Sequence, residues 1–325
     1  MEQPNILYLS QDDVKKTSLS MSEIIRVVER GFFELGHGRV EMPPKPGIHP
    51  GDGKDNFIHA MPAYIPAMHS AGVKWVSGYQ GNTVKGLPYI TGLLILNDPE
   101  TGLPQAVMDC VRITAMRTAA ASAISAKYLA RPDSSIIGIL ACGVQGFANL
   151  EAINELFPLK KVYAFDIRPE QTHKLVAFAE TLGLEAESVT DPRKAVTGCD
   201  IIVTSGPILK KPHETIKAGW MDEGTFASLV DFDSFWERDA IQAASQWTTD
   251  HLGQYAYYQE NGYFRGCPRI TAELGELVTG KKRGRQTPEE RTFAANLGLA
   301  MDDMAVAPLV YQRALQQGIG IKLNL

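Results

Sequence analysis

The stretch Ile136–Gly146, IIGILACGVQG, constrains the fold of this chain more than any other. An apolar, largely β-branched run from Ile136 to Leu140 leads into Ala141-Cys142-Gly143-Val144-Gln145-Gly146, and a helical pattern follows from Phe147 to Leu156. A strand, a turn of small residues and a helix start together present backbone N–H groups to a dinucleotide pyrophosphate. About twenty residues further on, a second apolar run, Lys161–Phe165, ends in Asp166. A carboxylate at that point accepts hydrogen bonds from an adenosine ribose. Ala141 stands where the first glycine of Gly-x-Gly-x-x-Gly is usual, and Gly143, Val144, Gln145 and Gly146 complete the turn. The competing reading is an ordinary strand-to-helix turn whose small residues only permit close packing.

From Ile136 onward, strand and helix patterns alternate. Strands are expected at Ile136–Ala141, Lys161–Phe165, Leu184–Ser188, Asp200–Ser205, Thr225–Val230 and Gln246–Thr249, with helices such as Pro169–Leu182 between them. Such alternation predicts an α/β fold, a Rossmann-type doubly wound parallel sheet. The closing region, Glu289–Gln317, reads as helix that returns to the first domain.

The first part of the chain is built differently. Ile6–Leu9 suits a short strand, and Ser20-Met21-Ser22-Glu23 is a capping box opening a helix with Ile24, Val28, Phe32 and Leu35 on one face. Gly36 and Gly38 end that helix. After the proline-rich segment Met42–Pro50, strands are expected at Asn56–Met61, Ala71–Ser77, Ile90–Asn97 and Gln105–Cys110. Asp98–Gly102 forms the turn between the last two. A run of strands after one helix predicts an α+β domain with a largely antiparallel sheet. The Ala-dense helix Thr114–Ala130 connects the two halves.

With 325 residues the chain can bury two cores. Its net charge of −5 supplies no attraction to nucleic acid or anionic membrane, and the basic run Lys281–Arg285 reads as a solvated loop. No apolar stretch reaches the roughly 18 residues of a membrane span. The N-terminus lacks the basic-then-apolar pattern of a signal peptide. Cys110, Cys142, Cys199 and Cys267 are scattered without metal-ligand spacing. Reduced thiols, a cytoplasmic location and no metal site are therefore expected.

Candidate chemistry lies in isolated charges. Lys74 falls inside the apolar run Gly72–Val76, where it either contacts substrate or snorkels to the surface. Arg117 is the only charge in a small, apolar helical stretch, suited to a bidentate carboxylate or a structural ion pair. Lys45 is a third cation, and His59 sits in a strand before Met61-Pro62. Asp231 and Asp233 follow the fifth strand of the second half, whose carboxyl end faces the ligand crevice; the alternative is an N-cap for a helix near Trp236. Asp302 and Asp303 lie on a late helix, where solvated or dipole-related roles are the default.

Taken together, these pieces resemble the ornithine cyclodeaminase/mu-crystallin family. The similar stretches are HAMPAY (His59–Tyr64), GVKWVSGYQGN (Gly72–Asn82), GLP (Gly86–Pro88), DPETGLP (Asp98–Pro104), RITAMRTAAASA (Arg112–Ala123), the Ala141–Gly146 turn and GLAMDD (Gly298–Asp303). The resemblance implies a homodimer. It implies a substrate-binding and dimerisation domain from residues 1–118 with 305–325, and an NAD-binding Rossmann domain from 119–304. It also implies that Lys74 and Arg117 hold a substrate carboxylate, with Lys45 and His59 facing the substrate and Thr118 on the cofactor. An aspartate after the fifth Rossmann strand would move protons; Asp231 fits best because Glu237 follows at the expected spacing, and Asp233 is the alternative. Lys45 replaces an arginine of the family's cyclodeaminases, and His59 replaces a glutamate.

The implied activity is hydride transfer at the α-carbon of a small amino or imino acid, by a dehydrogenase or an imine reductase. The alternatives are a cyclodeaminase that releases ammonia with catalytic NAD, and a non-enzymatic small-ligand-binding protein. Asp166 favours NAD because a carboxylate repels a 2′-phosphate, while Arg168 keeps NADP open.

Overall fold

The computed structural model describes residues 4–51 and 56–325. In chain order, β1 (Asn5–Leu9), α1 (Gln11–Lys16) and α2 (Met21–Gly36) precede β2 (Gly47–Ile48), β3 (Phe57–Ile65), β4 (Ser70–Gly78), β5 (Ile90–Asn97) and β6 (Pro104–Asp109). Helix α3 (Val111–Leu129) leads to β7 (Ile136–Leu140), α4 (Val144–Asn154), β8 (Lys161–Phe165), α5 (Pro169–Thr181) and β9 (Glu185–Ser188). Then come β10 (Ile201–Thr204), β11 (Phe226–Leu229), α6 (Arg238–Gln242), β12 (Gln246–Thr249), α7 (Leu252–Glu260), β13 (Ala272–Glu273), α8 (Leu274–Val278) and β14 (Thr292–Ala295). Helix α9 (Ala300–Gln317) and β15 (Ile321–Asn324) close the chain. It divides into two compact units, residues 1–117 with 299–325 and residues 118–298.

In the first unit, seven strands pair in the order β15-β1-β6-β5-β4-β3-β2, antiparallel except for the parallel pair β1–β6. Ser20 and Glu23 form the capping box of α2, each side chain accepting from the other residue's backbone N–H. Ile24, Val28 and Phe32 are buried as the pattern requires, while Leu35 is only half-buried. Helix α2 packs on α9, and α9 packs on β3, β4 and β5. That covers one face of the sheet. On the other, Trp75 and Leu93 face each other across β4 and β5 and are 52% and 42% exposed. Tyr8 and Ile321 pair in the same way across β1 and β15.

In the second unit, eight strands run in parallel in the order β13-β12-β14-β11-β10-β7-β8-β9. The chain winds outward from β7 through β8 to β9, then restarts on the other side at β10. The crevice at the carboxyl ends of β7 and β10 is thus the topological switch point, where such sheets bind ligands. Asp200 anchors the start of β7, accepting from the Ser135 and Ile136 N–H groups and from Arg131.

Two expectations fail. The region from Glu289 is not helical throughout: Thr292–Ala295 is strand β14, buried between β11 and β12. A short buried run carries no period that separates strand from helix, and Ala294 and Ala295, unlike the residues of β10, tip the composition toward helix. The basic run 281–285 is not wholly solvated either. Arg285 donates to the carbonyls of Leu129 and Glu290 and to the Thr292 hydroxyl, tying the loop to β14 and the end of α3.

Candidate functional site

The turn after β7 has the form that a dinucleotide needs. Ala141 adopts φ +73°, the left-handed region that glycine occupies freely, and holds it by donating its N–H to the Phe165 carbonyl. Gly143 precedes α4, which has no side-chain cap, and a Cβ on Gly143 would meet nothing within 4 Å. Gly146 is constrained in the opposite sense: a Cβ there would lie 2.8 Å from the Ala141 carbonyl oxygen. Open space at Gly143 and contact at Gly146 let a pyrophosphate approach the first N–H groups of the helix. Asp166 accepts from Cys142 N–H at 2.8 Å and from Arg168 N–H at 2.9 Å, so its carboxylate is fixed at the turn. Val144 and Ile167 are 68% and 88% exposed, leaving apolar surface beside the turn. Gln145 is half-buried and accepts through its side-chain oxygen from Asn149. These residues fit a bound NAD.

The loop after β10 lies against this turn: the Ser205 hydroxyl donates to the Ala141 carbonyl at 2.8 Å. At the end of the neighbouring strand β11, Asp231 is fully buried. Its Oδ1 accepts from the Thr204 hydroxyl at 2.6 Å, and the Trp236 indole N–H donates to that same Thr204 oxygen. No cation pairs with Asp231 among the described residues. Burial pushes its carboxyl up to about 7, against the Thr204 hydrogen bond. Asp233 is also buried and raised by burial, but it lines a cavity whose lining does not include Asp231. Neither caps a helix; the N-cap of α6 is Glu237.

In the first unit, the two leading cations meet two acids. Lys74 Nζ lies 2.7 Å from Asp303 Oδ2, and Arg117 Nε donates to Asp303 Oδ1 at 3.2 Å. Arg117 Nη1 donates to Asp302 Oδ2 at 3.3 Å, and that oxygen also accepts from Leu299 N–H. All four side chains are at most 6% exposed. Lys74 therefore does not snorkel, and Asp302 and Asp303 are not solvated, although Asp302 does serve the start of α9. Burial, followed by the charge of Arg117, pushes the Lys74 amine down. His59 stacks on Phe57 at 4.4 Å between centroids and meets the exposed His49 edge-on at 6.0 Å. Burial, with Lys45, His49 and Lys74 adding positive charge, pushes its imidazole down to about 3. His59 is thus neutral, and Lys45 is close enough to influence it.

Lys45, His59, Lys74 and Arg117 therefore collect in the first unit. Ala141–Gly146, Asp166, Arg168 and Asp231 collect at the carboxyl ends of the second sheet. Thr118 opens the second unit and is half-buried. Sequence reasoning missed the partners: Asp302, Asp303, Thr204 and Trp236. For the aspartates there was a signal, since two acids in the apolar run AMDDMAVA need buried cations, and Lys74 and Arg117 were the isolated ones.

A family model described as "Ornithine cyclodeaminase/mu-crystallin family" matches residues 6–318. An alanine dehydrogenase from Archaeoglobus fulgidus is 37% identical over 327 aligned residues, covering 98% of each chain. The Thermococcus litoralis Δ1-pyrroline-2-carboxylate reductase, solved with NADH and L-proline, superposes with a TM-score of 0.87 at 35% identity, covering 97% of this chain and 99% of that one. An archaeal alanine dehydrogenase dimer with bound NAD gives the same TM-score and identity over 98% and 99%.

Proposed function

This chain belongs to the ornithine cyclodeaminase/mu-crystallin family, and on that premise we propose that it is an NAD(H)-dependent oxidoreductase acting at the α-carbon of a small amino acid or the corresponding imino acid. The observation that carries this reading is Asp231: a buried carboxyl with no cation among the described residues, set at the carboxyl end of the nucleotide-binding sheet and poised to titrate near neutral pH. Proton transfer is most efficient when a group's pKa lies near working pH.

The dinucleotide supplies hydride chemistry. Val144, Gln145 and Gly146 offer N–H groups to its pyrophosphate, Asp166 selects an unphosphorylated ribose, and Thr118 and Arg168 are the remaining contacts. Lys74 and Arg117, with Lys45, hold the substrate carboxylate and fix the α-carbon, as near-attack geometry requires. Asp302 and Asp303 keep those two cations in position. In the oxidative direction, Asp231 would accept a proton from the substrate ammonium, and a bound oxidised dinucleotide would supply the acceptor for the α-hydrogen as hydride. Water then adds to the imine and ammonia departs. In the reverse direction, the protonated Asp231 returns its proton to nitrogen.

A cyclodeaminase needs an acid near a distal amine; the neutral His59 offers none. The protein acts as a homodimer in this reading, supported by the uncovered apolar sheet face around Trp75 and Leu93.

The test is a panel of small amino acids, cyclic imines, and 2-oxo acids with ammonia, followed by nicotinamide absorbance and ammonia release. Net change in NADH is expected. Ammonia release with no net NADH would instead identify a cyclodeaminase. NAD binding without any turnover would identify a binding protein.

A further inference from the structure

Outside the nucleotide turn, the second unit contains a cavity of about 530 Å³, within the range of small-molecule sites. It is built from three stretches: the loop after β10, the segment from Asp233 to α6, and the loop after α7. Lys210, Lys211, Arg238 and Arg265 line it, against only two carboxylates, Glu214 and Asp233. All four cations are exposed, and none pairs with an acid among the described residues. Lys210 is steered by the Tyr263 ring, 5.7 Å from its amine. Gly266 stands at the mouth with φ +74°, where a Cβ would lie 3.0 Å from Arg238 Nε, so the wall between Arg238 and Arg265 stays open.

The inner end is of opposite character. Trp236 is 1% exposed, and Asp233 is 5% exposed. Asp233 Oδ1 is buried without a hydrogen-bond partner. An unsatisfied buried carboxylate oxygen calls for a donor, and the four cations call for an anion. One molecule that carries both groups satisfies the pocket. The hydride-transfer chemistry proposed above uses neither Asp233 nor the four cations.

We propose that this cavity binds a small organic anion bearing an amino group, of the amino-dicarboxylate class, with its carboxylates on Lys211, Arg238 and Arg265 and its amine on Asp233. Isothermal titration of the whole protein with L-glutamate, glutarate and inorganic phosphate tests this. L-Glutamate is expected to bind saturably and more tightly than glutarate, which lacks the amine. The double variant Lys211→Ala/Arg265→Ala is expected to lose at least about tenfold in affinity, as removal of two charge-assisted contacts implies, with NADH affinity unchanged. Asp233→Asn is expected to erase the preference for glutamate over glutarate. The proposal is overturned if no probe binds saturably, or if glutamate and glutarate bind alike to the unmodified protein. It is also overturned if glutamate binding survives in the double variant and is lost in Arg117→Met, which would place that binding on the carboxylate clamp.

Discussion

The first unit buries a quartet of charges together, and the second, at the end of β11, buries Asp231 with no cation beside it among the described residues; the two regions handle desolvation in opposite ways. Lys74, Arg117, Asp302 and Asp303 neutralise one another pairwise at 2.7–3.3 Å. Each charge there is stabilised by its neighbours, and removing one leaves the others stranded in a low-dielectric interior. Asp231 has hydrogen bonds in place of a cation: the Thr204 hydroxyl, itself held by the Trp236 indole, and backbone N–H groups, Gly206 among them. It meets the cost of burial by holding a proton up to about pH 7. Paired charges build a rigid clamp; an unpaired acid becomes a proton carrier.

The largest effect expected is on turnover. Asp231→Asn should lower kcat/KM by about 100-fold or more, the usual contribution of general acid–base groups, with NADH binding kept. A variant that turned over normally would break the contrast on its functional side. The next effect is on stability. Asp303→Ala leaves Lys74 and Arg117 without their shared partner, and chemical denaturation should show a loss of about 3–5 kcal/mol. A change within about 0.5 kcal/mol, typical of surface positions, would mean that the quartet does not act as a unit.

Asp231→Asn should affect stability in the opposite sense. The raised carboxyl keeps its proton in the folded state while the unfolded chain releases it, so folding stability falls as pH rises between about 4 and 7. The asparagine variant lacks this slope and should be more stable than the parent above neutral pH, by up to about 4 kcal/mol. Denaturation curves across that window check the sign; a parent protein whose stability rose with pH while the variant's matched it would remove the basis for the assignment. Smaller still, Asp166→Ser should shift cofactor preference toward NADP by about tenfold in kcat/KM, about 1.4 kcal/mol, as the repulsion of a 2′-phosphate disappears. Smallest is Ala141→Gly, which relieves a side chain held at φ +73° and should raise thermal stability by about 1 kcal/mol.

The doubly wound sheet was legible because its strands are separated by helical periods and its turn sits between β7 and α4. The short strand Thr292–Ala295 was not: β10 to β12 are just as buried, but Thr-Phe-Ala-Ala ends in two helix-favouring alanines and leads into the alanine-rich start of α9. Among site residues, Lys74, Arg117 and Asp231 could be singled out as charges in apolar surroundings or at a strand end. Their surroundings could not be read so directly. Asp303 lies 186 positions from Arg117, and only the packing of α9 on the sheet brings them together. The raised state of Asp231 likewise follows from tertiary burial beside Thr204 and Trp236, which no local pattern records.

The pH dependence of kcat/KM for amino-acid oxidation tests Asp231 most directly. The parent enzyme should gain activity as pH rises through about 7, the point where Asp231 loses its proton. Asp231→Asn should lose that limb along with most of the rate, and Asp233→Asn should keep it. A limb and rate that survive in Asp231→Asn but vanish in Asp233→Asn would contradict the assignment.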